Sequence, residues 1–161
     1  MLRLRPYKKD DASTILSWCT EEKAFYKWTA GVMGNYPITE KEFAFVENIM
    51  AFTAFDDDGI CGFFTLRNPG PSLDELRMGF VIISPDRRGK GYGKEMINLG
   101  FRYAFDVYGA GSVDLAVFDN NPAAKACYKA AGFKEVSTES GTDSIFCGEQ
   151  WSRTVMKKEK S

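Results

Sequence analysis

The sequence predicts one α/β domain built on a mixed sheet. Three observations carry that expectation. Short helical segments come first, then strand-like segments joined by a tight turn, then the order strand, helix, strand, helix, strand. The 161 residues, 44% of them hydrophobic, suffice for a single domain over 1–161 with its own core.

Each element follows from local pattern. "LRLRPY", Leu2 to Tyr7, alternates apolar and charged until Pro6 and reads as a first strand. Asp10 or Asp11 can cap a helix through Ile15, Leu16 and Trp18, and "EEKAFYKW" reads as a second short helix. Thr39 and Glu42 form a capping-box pair before Phe43, Phe45, Val46 and Ile49 at helical spacing, which predicts a third helix. "MAFTAF", "DDDG" and "ICGFFTLRN" read as strand, turn and strand. "ELRMGFVII", Glu75 to Ile83, is a buried strand stopped by Pro85. In "GKEMINLGFRYAFDVYG", residues Met96, Ile97, Gly100, Phe101, Ala104 and Phe105 share one helical face. "SVDLAVF" is a further strand. "NPAAKACYKAAG" is a short helix with Pro122 in its first turn and Gly132 at its end. "FKEVST" and "QWSRTVMKK" close the chain as strands.

Composition removes several functions. The net charge of -1 and the lack of a basic run argue against nucleic-acid binding. No apolar run reaches the ~18 residues of a membrane span. The first residues lack an apolar signal core, so a cytoplasmic protein is expected. The four cysteines form no CxxC pair and are expected reduced and mostly buried. With no histidine, Ser-His and Cys-His pairs and histidine metal sites are ruled out, and no metal is expected. Proton transfer falls to carboxylate, tyrosine, lysine, thiol or water.

"SPDRRGKGYGKEM", Ser84 to Met96, packs basic residues around Gly89, Gly91 and Gly93. It is not a P-loop, because Gly93-Lys94 is followed by Glu95. It is not a GxGxxG fingerprint either, because Lys94 or Met96 stands where the third glycine is required. What remains is a strand, a turn and a glycine-rich entry to a helix. Unpaired N–H groups at a helix start carry partial positive charge, and missing Cβ atoms let an anion approach. Arg87, Arg88, Lys90 and Lys94 add mobile charge. The plainer reading is a tight turn with solvated basic side chains.

Arg88-x-x-Gly91-x-Gly93 after a buried strand resembles the acyl-CoA-binding motif of the GNAT superfamily of N-acyltransferases. "NPAAKACYKAAGF", Asn121 to Phe133, resembles that family's downstream segment, and the N-terminal "LRLRPYKKDDA" and the element order extend the likeness over nearly the whole chain. Within the family, the sequence is most similar to the branch of ribosomal-protein alanine N-acetyltransferases. The resemblance implies a mixed, mostly antiparallel sheet with helices on both faces and a splayed central pair, Glu75–Ile83 and Ser112–Val117. Acetyl-CoA would enter that V. Backbone groups of Val81, Ile82 and Ile83 would pair with the pantetheine arm. The amides of Arg88, Gly89, Lys90, Gly91, Tyr92 and Gly93 would hold the diphosphate, and Asn121 would contact the pantetheine or neighbouring phosphates.

The implied reaction is direct attack of an amine on acetyl-CoA within a ternary complex. Tyr128 would lie near the thioester sulfur and protonate the leaving thiolate, and a backbone N–H near Ile82 would stabilise the oxyanion. Many relatives carry a strand glutamate as base; Arg77 stands at that place, and Glu75, on the same strand face, is the fallback. An α-amine needs well under ~1 kcal/mol to deprotonate near pH 7.5 against about 4 for a lysine-like amine, so it tolerates a weak base. The acceptor pocket is expected from the N-terminal helices and the loop through Tyr36, with one or two of Trp18, Phe25, Tyr26, Trp28 and Tyr36 lining it. Arg77 would meet an acidic acceptor or pair with Asp74 or Glu75. The acceptor is a small-molecule or peptide amine, and the protein a monomer or homodimer. Two rivals stay open: a non-catalytic acyl-CoA sensor with the same cleft, and an α/β domain binding another nucleotide.

Overall fold

The computed structural model describes residues 1–46 and 48–161, with side chains at all of these except 140–143. Among the described residues seven strands form one sheet in the order β1-β2-β3-β4-β5-β7-β6. The strands are β1 (Arg3–Pro6), β2 (Ile49–Asp56), β3 (Gly59–Arg67), β4 (Glu75–Ile83), β5 (Ser112–Phe118), β6 (Lys134–Phe146) and β7 (Glu149–Glu159). Every neighbouring pair is antiparallel except β4 and β5.

The sheet is covered on both faces because its strands alternate. Phe64, Leu66, Leu76, Met78, Val113 and Leu115 face one side, where α3 (Tyr92–Arg102) and α4 (Pro122–Ala130) pack through Met96, Ile97, Phe101 and Tyr128. Phe63, Ile82 and Phe118 face the other side, under α1 (Ala12–Ser17) and α2 (Glu22–Thr29). Burying each such large apolar side chain stabilises by about 1.5–3 kcal/mol. α3 seats tightly because residue 100 is glycine: a Cβ there would come within 3.0 Å of Met78 Cε. Beyond Arg102 the helix widens into π-helical turns over Tyr103–Tyr108 and stops at Gly109, φ 88°.

Three expectations need correction. The helix expected after Thr39 does not form among the described residues; Glu47, within the expected span, lies outside them. Its capping pair is present, with Thr39 N–H donating to Glu42 and Glu42 N–H to Thr39 Oγ1, but it closes only a turn. Phe43 and Phe45 instead join Tyr7, Phe63 and Phe80 in an aromatic cluster on the sheet, so packing overrides the helical spacing. Asp11 does not cap α1. It accepts from both guanidinium nitrogens of Arg5, from Lys8 N–H and from Thr53 Oγ1. The cysteines are less buried than expected: Cys61 is buried, Cys19 and Cys127 half-buried and Cys147 exposed.

β4 and β5 are paired only at Glu75–Arg77 against Ser112–Asp114. Beyond those residues β5 runs with β7 and β4 stays with β3, so the central pair opens into a V. At the opening β4 bulges: Phe63 pairs with Ile82 and Thr65 with Gly79, leaving Phe80 and Val81 opposite Phe64 alone.

Candidate active site

The V holds a cavity of about 1020 Å³. Its floor is the free edge of β4, including Val81, Ile82 and Ile83, facing Leu115, Ala116 and Val117 of β5. One wall is α4, from its cap Asn121 to Cys127 and Tyr128 in its second half; the mouth is the glycine loop. Of the loop residues expected to contact a cofactor, Arg88, Gly89, Gly91, Tyr92 and Gly93 line the cavity and Lys90 does not.

The loop shows why glycines stand there. Gly89 and Gly91 adopt φ 76° and 82°, and a Cβ at either would point into open space. At Gly93 a Cβ would lie 3.1 Å from Cys127 Sγ, so glycine lets α3 and α4 close on each other. Among the described residues, the backbone amides of Gly89 to Lys94 have no hydrogen-bond acceptor in the chain. They cluster at the N-terminus of an eleven-residue helix, where the helix dipole is positive. Bare amides, a long cleft and flanking Arg87, Arg88 and Lys94 fit an elongated diphosphate-bearing carrier.

Side chains fix this loop. Asp56, at the end of β2, accepts from Arg87 Nε at 3.2 Å and Nη2 at 3.0 Å, and from Tyr92 Oη at 3.1 Å. The Arg87 guanidinium foremost holds the Asp56 carboxyl below its usual range. The acidic run read as a turn is one at Asp57 and Asp58, but its first residue reaches back to the loop. Arg88 donates to Ile83 O at 3.0 Å and to Trp18 O at 3.3 Å, tying α1 to the loop.

The bulge is held from the opposite face. Phe80 sits at φ 52°, a left-handed conformation that costs a non-glycine residue about 1–3 kcal/mol. Trp28 Nε1 donates to Phe80 O at 2.9 Å and holds it there. Trp18 lines the cleft and Trp28 lines it too, whereas Phe25 and Tyr26 are buried against Phe118 and Trp151. Tyr36 Oη donates to Thr20 O.

Tyr128 is buried and is one of the residues that line the cavity. Burial foremost, then the adjacent Cys127, pushes its pKa above the ordinary value, so it stays protonated at neutral pH. Burial also raises the thiols of Cys19 and Cys127, which makes these cleft residues poor nucleophiles. Asn121 caps α4, its Oδ1 accepting from Ala124 N–H at 3.4 Å. Glu75 is not brought to the others. It lies at the paired end of the V, exposed and 3.8 Å from Lys157, and lines neither this cavity nor the next. Arg77 pairs with neither Asp74 nor Glu75; the parallel register sets it beside Asp114, which it grips through Nε at 3.0 Å and Nη2 at 3.3 Å.

Past the bulge a second cavity of about 390 Å³ continues the first, with Lys27, Trp28, Met78, Gly79, Phe80 and Ala116 common to both. The sequence pattern of the acetyltransferase (GNAT) family matches residues 12–133. The chain belongs to the acetyltransferase (GNAT) family. Its GNAT segment is 34% identical over 93 residues to the mycothiol acetyltransferase of Rhodococcus jostii, a match spanning 56% of this chain and 30% of that protein. In fold, this GNAT chain is similar to the spermidine N-acetyltransferase of Vibrio cholerae solved with CoA and spermine, with a TM-score of 0.83 at 19% identity over 98% of this chain and 95% of that one. It is also similar to a chimera of that enzyme and hSSAT, with a TM-score of 0.80 at 20% identity and the same coverages. No helix among the described residues is long and apolar enough to cross a membrane, and no group of three or more His, Cys, Asp or Glu among them could hold a metal ion.

Proposed function

We propose that this GNAT chain is an acetyl-CoA-dependent N-acetyltransferase acting directly on a primary amine, with residues 1–161 serving as one catalytic domain. The observation that carries the reading is the run of unpaired amides from Gly89 to Lys94 at the mouth of the V-shaped cleft, which all of these residues but Lys90 line. Acetyl-CoA, when bound, supplies the activated acyl group. The amides of Gly89–Gly93 hold the diphosphate, whereas the expected Arg88 amide already donates to Pro85 O; the free β4 edge at Val81–Ile83 offers backbone pairing to the pantetheine arm, and Asn121 contacts it from α4. A backbone N–H beside the bulge, near Ile82, faces the reacting carbonyl. Tyr128 Oη holds the proton delivered to the leaving sulfur.

No carboxylate among the described residues lines the acceptor-side cavity. Glu75 lies outside the cleft, so the acceptor amine loses its proton to water or to Glu21, a carboxylate that does line the cleft. Two raised-pKa thiols in the cleft favour direct attack over an acyl-enzyme.

The test is thiol release from acetyl-CoA with a panel of amines and peptides. Wild type releases thiol, and Tyr128→Phe lowers the rate about 10²–10⁴-fold with the fold and coenzyme A affinity intact. Tight coenzyme A binding without thiol release for any acceptor would favour a non-catalytic sensor.

A further inference from the structure

The second cavity carries more information than its size. Its charged lining among the described residues is cationic, Lys27 from α2, Arg67 from the end of β3, Arg77 from β4 and Arg153 from β7, all half-buried, and Thr29, Asn48 and Thr65 add neutral polar groups. Trp28, Phe80 and Phe118 supply apolar walls, and no carboxylate among the described residues lines it. Two of the four cations are matched, Arg77 by Asp114 at 3.0 Å and Arg153 by Glu139 at 3.2 Å. Lys27 and Arg67 have no ion pair among the described residues. Half-buried cations beside apolar walls are poorly hydrated and strengthen any contact with an anion.

Resting on the acetyltransferase reading, we propose that the acceptor is a primary amine that also carries a carboxylate. The carboxylate is held by Arg67 and Lys27, and the amine reaches past Phe80 toward Tyr128. Lys27 and Phe80 line both cavities, so one small molecule can span the bulge with its two ends in the two chambers. The same cations disfavour a polyamine by like-charge repulsion.

The experiment compares L-phenylalanine with L-phenylalaninamide, L-glutamate with spermidine, and Asp-Ala-Ala-amide with Asn-Ala-Ala-amide. Readouts are thiol release from acetyl-CoA and the melting temperature with each compound alone. The acids are expected to exceed their counterparts that lack the carboxylate in kcat/KM by about tenfold or more, the fold-change of one charge-assisted contact. Arg67→Gln and Lys27→Gln should raise KM for the acids and bring the ratio toward one, and Arg67→Lys should restore part of it. A preference confined to the aspartyl peptide also supports the charge reading and assigns the carboxylate to a peptide. Equal turnover of acid and amide, faster turnover of spermidine, or a ratio unmoved by Arg67→Gln would overturn it. Spermidine turnover without acid turnover leaves the acetyltransferase reading standing while this one fails. Absence of coenzyme A binding removes the acetyltransferase reading, and the melting shift with L-phenylalanine against its amide still judges the charge of the pocket.

Discussion

On the proposed reading, the chemistry turns on two single residues, Tyr128 and Gly91. Burial keeps the Tyr128 hydroxyl protonated, so its loss in Tyr128→Phe removes a donor without removing a ring that packs edge-on to Phe133 at 5.8 Å. The rate should fall while melting temperature holds. Glu75→Gln should change the rate less than about tenfold, because its carboxylate is exposed beside Lys157 and away from the cleft. Gly91→Glu puts bulk and negative charge at the proposed diphosphate site and should abolish coenzyme A binding in calorimetry. Gly91→Ala, strained by the same φ but uncharged, separates backbone cost from charge and should weaken binding less. The glycine loop is legible because its signal is local, whereas Tyr128 is singled out only through the family resemblance of Asn121 to Phe133. The sequence could not show Phe80: no residue type marks a non-glycine at φ 52°, and the hydrogen bond that holds it comes from Trp28, 52 positions away.

Among elements, the hairpin β2–β3 and the end of β5 act as clamps. Asp56→Ala frees Arg87 and Tyr92 together, so KM for acetyl-CoA should rise with kcat little changed. At the far side, Asp119 accepts from Ser152 Oγ, from Thr154 Oγ1 at 2.6 Å and from Lys125 Nζ at 2.9 Å, joining β5, β7 and α4. Hydrogen bonds from Ser152 and Thr154, then Lys125, pull its pKa down to about 2. A carboxyl depressed in the folded state contributes stability above its unfolded pKa and loses it as pH falls through the folded value. Melting temperature should therefore drop between roughly pH 4 and pH 2, and Asp119→Asn should flatten that part of the profile. Strands β4 and β5 and helix α4 were readable because Pro85, Pro122 and Gly132 punctuate strong apolar patterns. The Phe43–Ile49 stretch was misread because aromatic residues two apart fit a sheet-packed loop as well as a helix, and only contacts with Tyr7 and Phe63 decide. The pairing of Arg77 with Asp114 was hidden for a similar reason: the partners are 37 positions apart and meet through the β4–β5 register.

For the whole molecule, one deviation in pairing makes the site. β4 and β5 leave each other after Arg77 and Asp114, a helix start supplies bare amides at the mouth, and helices on both faces support the gap. The two-sided core is what lets the sheet tolerate an unpaired central edge. Phe64→Ala, at a fully buried position under α3, should cost about 3–5 kcal/mol in denaturant unfolding. The sequence indicated the V only through family resemblance, since a splay is an absence of pairing and has no composition of its own. The most direct test of the central claim follows backbone amide resonances while coenzyme A is added to the protein. The largest saturable shifts should fall on Gly89 to Lys94 and vanish in Gly91→Glu. Saturable binding that leaves those amides unmoved and shifts others would contradict it.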